Sequence, residues 1–398
     1  MNDTASLSAR LGKAVNRQRL VDTALRLIAV PSRTGEGGAV ADCLAQLLRE
    51  DGFQIERPAA GHPNAPAVVV RLATGKPGRT LQFDGHLDVV HLPFVPPQLS
   101  DGSITGSGAC DMKGGVAAAV EALRVLRDAN ALSAGGVLFT AHDLHEAPWG
   151  FGQQLDRLIG DGVVGDGVLL PEPLTGHLPI VGRGAARWKV TIRRSGLAVH
   201  EVMRPADEPN VLAAGAELVT RLTQQNDRFA QAEPHPAGVA SVFVGQFHGG
   251  EIYNQYPQES WLEGTRRWLP GISRAEVEQE FRSLLDGLAK ETRTTIAGDF
   301  RVIRDAFELN PDDPLVAAFQ GAHETISGRP LPAGPKAFVD DGNSFCGLAG
   351  VPAITHGPRS GGQHTVHEWV SIADLERVAH LYALTAALYC QDASSPRR

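Results

Sequence analysis

The sequence predicts an α/β fold interrupted by a smaller α+β domain, on three observations. Helical and strand-like apolar patterns alternate over roughly the first 180 residues, the order that builds a largely parallel sheet. Over 186–300 the order changes to strand, helix, strand, strand, helix and a further strand, the ferredoxin-like pattern. The chain has 398 residues, more than one hydrophobic core accommodates, and 42% hydrophobic content is enough to fill two. The α/β domain is therefore placed at 1–185 and 301–398, with the insert at 186–300.

Each element has a local reason. RQRLVDTALRLIAV sets Leu20, Ala24, Leu25 and Ile28 on one helical face, and Pro31 ends it. VADCLAQLLREDGF is a second amphipathic helix, closed at Gly52, and PAVVVRLATG and TLQFDGHLDVV read as strands. GGVAAAVEALRVLRDA is a helix by propensity and period, and GGVLFTAHDL is a buried strand. In the insert, RWKVTIRR, ASVFVGQFHGG, SWLEGTRRW and TTIAGDFRVIR are strands, while PNVLAAGAELVTRLTQQ and RAEVEQEFRSLLDGLAKE are helices. DDPLVAAFQGAHETI, VPAITHG and SIADLERVAHLYALTAALY return to helix, strand and helix, and SSPRR is a polar tail.

Charge and composition exclude several partners. The net charge is −8 and no Lys/Arg cluster stands out, so nucleic acid is not expected. The four cysteines, Cys43, Cys110, Cys346 and Cys390, form no CxxC pair, which points to reduced thiols and a cytoplasmic location. The first residues lack an apolar core of the signal-peptide kind, and no later run is long enough for a membrane span.

The chemistry gathers at strand ends. His86 and Asp88 stand two apart after an apolar strand, on one side by strand alternation, as a metal-binding imidazole and its orienting carboxylate would. Asp111 lies between a Gly-rich turn and a helix, where helix capping is the alternative role. HDLHEAPWG supplies His142, Asp143, His145 and Glu146, LLPEP supplies Glu172, and GGQHTVHEW supplies His364 and His367. Carboxylates and imidazoles on successive strand ends suit one or two divalent ions, zinc, manganese or cobalt.

In GHLDVV, GACDMKGG, the Glu172 site and HTVHEWV, in this order, the chain resembles the co-catalytic zinc exopeptidases and deacylases, from about Leu20 to about Leu375. That family includes aminoacylase-1, glutamate carboxypeptidase, acetylornithine deacetylase and succinyl-diaminopimelate desuccinylase. The resemblance implies a zinc-exopeptidase-like catalytic domain at 1–185 and 301–398 and a lid or dimerisation domain at 186–300. It implies two metal ions, His86, Asp111 and Glu172 holding one, Asp111, Glu146 and His364 the other, with Asp88 behind His86. It also implies a homodimer in which His200 reaches the partner's site to steady an oxyanion, and Asn254 and Arg267 binding a substrate carboxylate. Arg266 takes the Arg267 role if the register slips by one. The implied reaction is attack of a metal-bridging hydroxide on the amide of an N-acyl amino acid or dipeptide.

One departure matters. The family carries two adjacent glutamates where this chain reads His145-Glu146, so histidine occupies the general-base position. A neutral imidazole titrates near the working pH and can carry the proton. Three readings follow: His145 as replacement base in an amide hydrolase, His145 as extra ligand or substrate contact in a hydrolytic deaminase, and an idle homologue that binds a small acid. Asp143 is a fallback base. Trp149 and Phe151 are candidates to shape an aromatic pocket, His91 reads as surface decoration, and Ser107 lies in GSGACDM, which lacks the family's arginine.

Overall fold

The computed structural model describes residues 2–391, so the tail SSPRR lies outside the described residues. These residues divide into two compact units. The first comprises residues up to Ile180, Leu309–Gly334 and those from Asp340 onward, and the second Val181–Glu308 with Pro335–Val339. Among the described residues no helix is long and apolar enough to cross a membrane.

The first unit is built on a six-stranded sheet in the order Ile55–Glu56, Val68–Ala73, Gly136–His142, Thr80–His86, Gly167–Leu170, Ala353–Thr355. The last four strands run parallel, and the first two are antiparallel additions at one edge. Thr80–His86 and Gly136–His142 are buried almost throughout because helices cover the sheet, as expected for a parallel sheet. The helix Lys113–Asp128 is buried from Lys113 to Leu126 and packs against Ile372–Tyr389, which is buried along most of its length. Parallel strands bring their C-terminal ends to one edge, where open α/β sheets place their chemistry. Asn2–Ala14 is an additional helix, anchored by the buried Leu11 and by a hydrogen bond between Ser8 Oγ and His380.

The second unit is a four-stranded antiparallel sheet in the order Ser241–Gly249, Glu259–Trp268, Gly184–Arg193, Thr295–Arg304. Val211–Ala230 and Arg274–Thr292 supply the helices, the first capped by Asn210 and the second by a Ser273/Glu276 capping box. Strand alternation sends Trp188, Val190, Ile192 and Leu262 into a core with Leu218, Leu222, Phe281 and Leu285. Each such side chain contributes about 1.5–3 kcal/mol when fully buried. The stem is closed by pairing of Phe307 and Glu308 with Gly182 and Val181. The helices and strands thus follow the α/β and ferredoxin-like patterns, with the insert spanning 181–308 where the sequence suggested 186–300.

Candidate active site

His86 closes the strand Thr80–His86 and is fully buried. Its Nδ1 donates to the Asp88 main-chain carbonyl at 2.9 Å, which aims Nε2 at Asp111 Oδ1, 3.1 Å away, and Glu172 Oε1, 3.6 Å away. The Asp88 carboxylate stands behind His86, 3.7 Å from its Nδ1, and has a second contact. It accepts the main-chain N–H groups of His145 and Glu146, each at 3.0 Å, and so pins the next loop.

Asp111 precedes the helix Lys113–Asp128 without capping it, since Met112 occupies the N-cap and no side chain caps there. Its two oxygens face two imidazoles: Oδ1 faces His86, and Oδ2 is 3.3 Å from His364 Nε2. Glu368 secures this loop, accepting the N–H of Cys110 at 3.1 Å and of Asp111 at 3.2 Å. Burial pushes the Glu368 carboxyl up to about 7. Sequence reading missed Glu368, although it lies inside the quoted HTVHEWV motif.

Glu172 follows the strand Gly167–Leu170 in a narrow passage. A Cβ on Gly115 would sit 2.1 Å from the Pro171 carbonyl, and one on Gly357 2.3 Å from the Glu172 carbonyl, so both positions need glycine. Glu146 follows Gly136–His142, and its carbonyl accepts the N–H groups of Trp149 and Gly150 in a turn. His364, left-handed at φ 59°, sets Nε2 at 3.2 Å from Glu146 Oε2.

Leu144, left-handed at φ 66°, separates the two candidate bases. Asp143 turns away from the cluster and accepts the N–H groups of Gly35 at 2.9 Å and Gly37 at 2.8 Å, with His62 Nε2 at 3.2 Å. His145 turns inward, stacks on His86 with ring centres 3.9 Å apart, and donates from Nδ1 to Asp341 Oδ2 at 2.8 Å. His367 is exposed and stands outside these contacts. His91 stacks on Trp149 at 4.1 Å and donates to the Thr34 carbonyl at 3.1 Å, so it is more than decoration. Ser107 accepts the Val95 N–H at 2.9 Å.

The electrostatics are those of crowded buried carboxylates. Burial and the neighbouring Asp111 push Glu172 up to about 7. Burial works against ionisation of Asp111, yet hydrogen bonds from His364 and His86 hold it well below the usual carboxylate range. Burial depresses His86, and Asp111 and Glu172 overcome that, raising it well above an ordinary histidine. Hydrogen bonds to Asp111 and Glu146 raise His364 to about 10. The donor atoms lie 3.1–3.6 Å apart, against about 3.3 Å for two tetrahedral ligands at the usual zinc distances. The nitrogen and oxygen donors therefore fit metal ions.

In the second unit, His200 Nε2 is 3.1 Å from Asn254 Nδ2, across the short pairing of Val199–His200 with Gln255–Tyr256. Arg266 points into the unit, donating to Glu280 at 3.1 Å and lying over Phe229. Arg267 is half-buried on the opposite face, and burial and Arg183 lower its pKa.

A model of peptidase family M20/M25/M40 matches residues 83–388. The chain belongs to that family. A succinyl-diaminopimelate desuccinylase of Alkalilimnicola ehrlichii is 29% identical over 382 residues, covering 91% of this chain and 96% of the relative. One from Methylobacterium radiotolerans is 28% identical, covering 92% and 97%. A Staphylococcus aureus tripeptidase shares the fold at TM-score 0.77 and 19% identity, over 95% of this chain and 100% of that one. A dinuclear metal binding peptidase of Bacillus subtilis does so at 0.70 and 16%, over 94% and 98%. As a member of peptidase family M20/M25/M40 the chain is a hydrolase acting on amide bonds.

Proposed function

We propose that this chain hydrolyses the amide bond of a small carboxylate-bearing substrate, an N-acyl amino acid or a dipeptide, with two divalent metal ions. Zinc is the first choice and manganese or cobalt the alternatives. The observation that carries the reading is Asp111, which shares one carboxylate between His86 with Glu172 on one side and His364 with Glu146 on the other. Those two sets would hold the two ions, which when bound would supply an acidified water and a polarised carbonyl.

The chain's own residues do the rest. Asp88 fixes the main chain at His145 and Glu146, so that the proton carrier and its neighbour keep their places. His145 receives a proton at Nε2 and returns it to the leaving nitrogen. In the insert, Arg267 and Asn254 would hold the substrate carboxylate by charge-assisted hydrogen bonds, and His200 would donate to the developing oxyanion. The protein would act as a homodimer, and its four free thiols suit the cytoplasm.

Metal analysis combined with mass spectrometry of products from N-acyl amino acids, dipeptides and aromatic amines tests this. The expected result is about two metal equivalents and release of a free amino acid, both lost in Asp111→Ala. Release of ammonia without a new carboxylate would replace amide cleavage by deamination. Activity surviving Asp111→Ala would sink the shared site.

A further inference from the structure

The strands Thr80–His86 and Gly136–His142 lie parallel in a register that sets His86 beside His142 and Asp84 beside Thr140. Inside a covered sheet these polar side chains must find partners. They form one line. The Gly165 N–H donates to Gln82 Oε1 at 2.9 Å, Gln82 Nε2 donates to the Thr140 hydroxyl at 2.7 Å, and that hydroxyl donates to Asp84 Oδ1. Asp84 Oδ2 is 3.4 Å from His142 Nε2, which is 3.3 Å from Asp341 Oδ2. That Asp341 oxygen accepts His145 Nδ1–H at 2.8 Å, and His145 Nε2 lies 3.9 Å from Glu172 Oε1. Asp84, His142 and Asp341 are each at most 1% exposed.

We propose that Asp341, held by His142 and Asp84, is the positioning residue that locks His145 with its proton on Nδ1 and the unprotonated Nε2 toward the metal-binding carboxylates. The proposal rests on the reading of His145 as proton carrier. Neutral imidazole has two tautomers, and only the one protonated at Nδ1 leaves Nε2 able to take a proton. A carboxylate bonded to Nδ1 selects that tautomer and fixes the ring plane. Unaccompanied, Asp341 would add a buried charge beside Glu172, a cost that His142 offsets by standing between two carboxylates. A glutamate at 145 would need none of this and would be repelled by Asp341. The line Asp84–His142–Asp341 is thus the device that lets histidine occupy this position.

The same three residues have donors close enough for a further ion, which the test separates. Metal content, ring-¹⁵N histidine NMR and steady-state kinetics are measured on the metal-loaded protein. His145→Gln assigns the His145 signals. The wild type is expected to hold two metals and to show His145 protonated at Nδ1 with Nε2 unligated. Asp341→Asn is expected to keep both metals and lose about 100-fold or more in kcat with KM within about threefold, and Asp341→Glu to recover part of the loss. In His145→Glu the effect of Asp341→Asn should vanish or change sign. A third metal lost in Asp84→Asn, a ligated Nε2, or an equal kcat loss in both backgrounds would overturn the proposal. Should Asp341→Asn not fold, the tautomer in the wild type still decides. If no amide is cleaved by the wild type, the functional reading fails while the tautomer still judges the lock.

Discussion

Arg266 and Arg267 are neighbours with opposite fates, because strand alternation turns one inward and the other outward. Arg266 is tied to Glu280 and Phe229, so Arg266→Ala is expected to cost about 1–3 kcal/mol and lower the Tm. Arg267 makes no ion pair among the described residues, so Arg267→Ala should leave the Tm unchanged and raise KM for carboxylate substrates tenfold or more. Calorimetry and kinetics on the two variants check both, and swapped effects would put Arg267 on the buried face of the strand and Arg266 on the open one. A second residue sets a pH limit. His356 is buried, accepts from Arg377 through Nε2 at 3.1 Å, and its Nδ1 has no hydrogen-bond partner among the described residues. Burial, Arg377 and His323 hold it well below an ordinary histidine pKa. The unfolded chain therefore takes a proton that the folded one refuses, so this stability is present above about pH 6.5 and declines as pH falls below it. The slope is up to about 1.4 kcal/mol per pH unit, and His356→Gln should flatten the fall in Tm between about pH 6.5 and 5 relative to wild type. An identical slope in the variant would remove His356 from the account.

At the scale of elements, the start of Lys113–Asp128 is where packing reaches the site. Gly115 lets the helix touch the chain at Pro171, one residue before Glu172. Gly115→Ala is expected to push that segment aside and reduce metal occupancy measurably while the fold's circular dichroism is kept. Full occupancy in the variant would show that the passage tolerates a methyl group. The elements themselves were largely legible, because periodicity reports burial: Gly136–His142 and Ile372–Tyr389 lie where their patterns put them. Asn2–Ala14 was not, since its polar residues hide a face anchored mainly by Leu11. Within the site, His86, Asp111, Glu146, Glu172 and His364 stood out in the sequence through motifs and the family resemblance, and the structure brings their side chains together. The partner of His145 was not readable, for Asp341 stands 196 residues away and meets it only through tertiary structure. Asp88 was half-readable: its spacing from His86 sets its place, but only geometry shows its carboxylate on the main chain of His145 and Glu146.

For the whole molecule, the decisive feature is that the insert enters and leaves side by side, Val181 and Gly182 pairing with Glu308 and Phe307. With its own core of Trp188, Leu218, Leu262 and Phe281, it has what an independent domain requires. The fragment 181–308 is expected to fold alone, with a cooperative thermal transition and dispersed amide NMR signals. Its sheet ends at Ser241–Gly249, an edge strand carrying exposed Phe243 and partly exposed Phe247. Unpaired edges with apolar side chains invite a second strand, which fits the homodimer proposed above. If that edge joins two copies, the fragment and the full chain should both sediment as dimers, and Phe243→Lys should shift both toward monomers. A cooperative but monomeric fragment beside a dimeric full chain would move the interface elsewhere, whereas an unfolded fragment would mean that the α/β unit supplies part of the insert's stability.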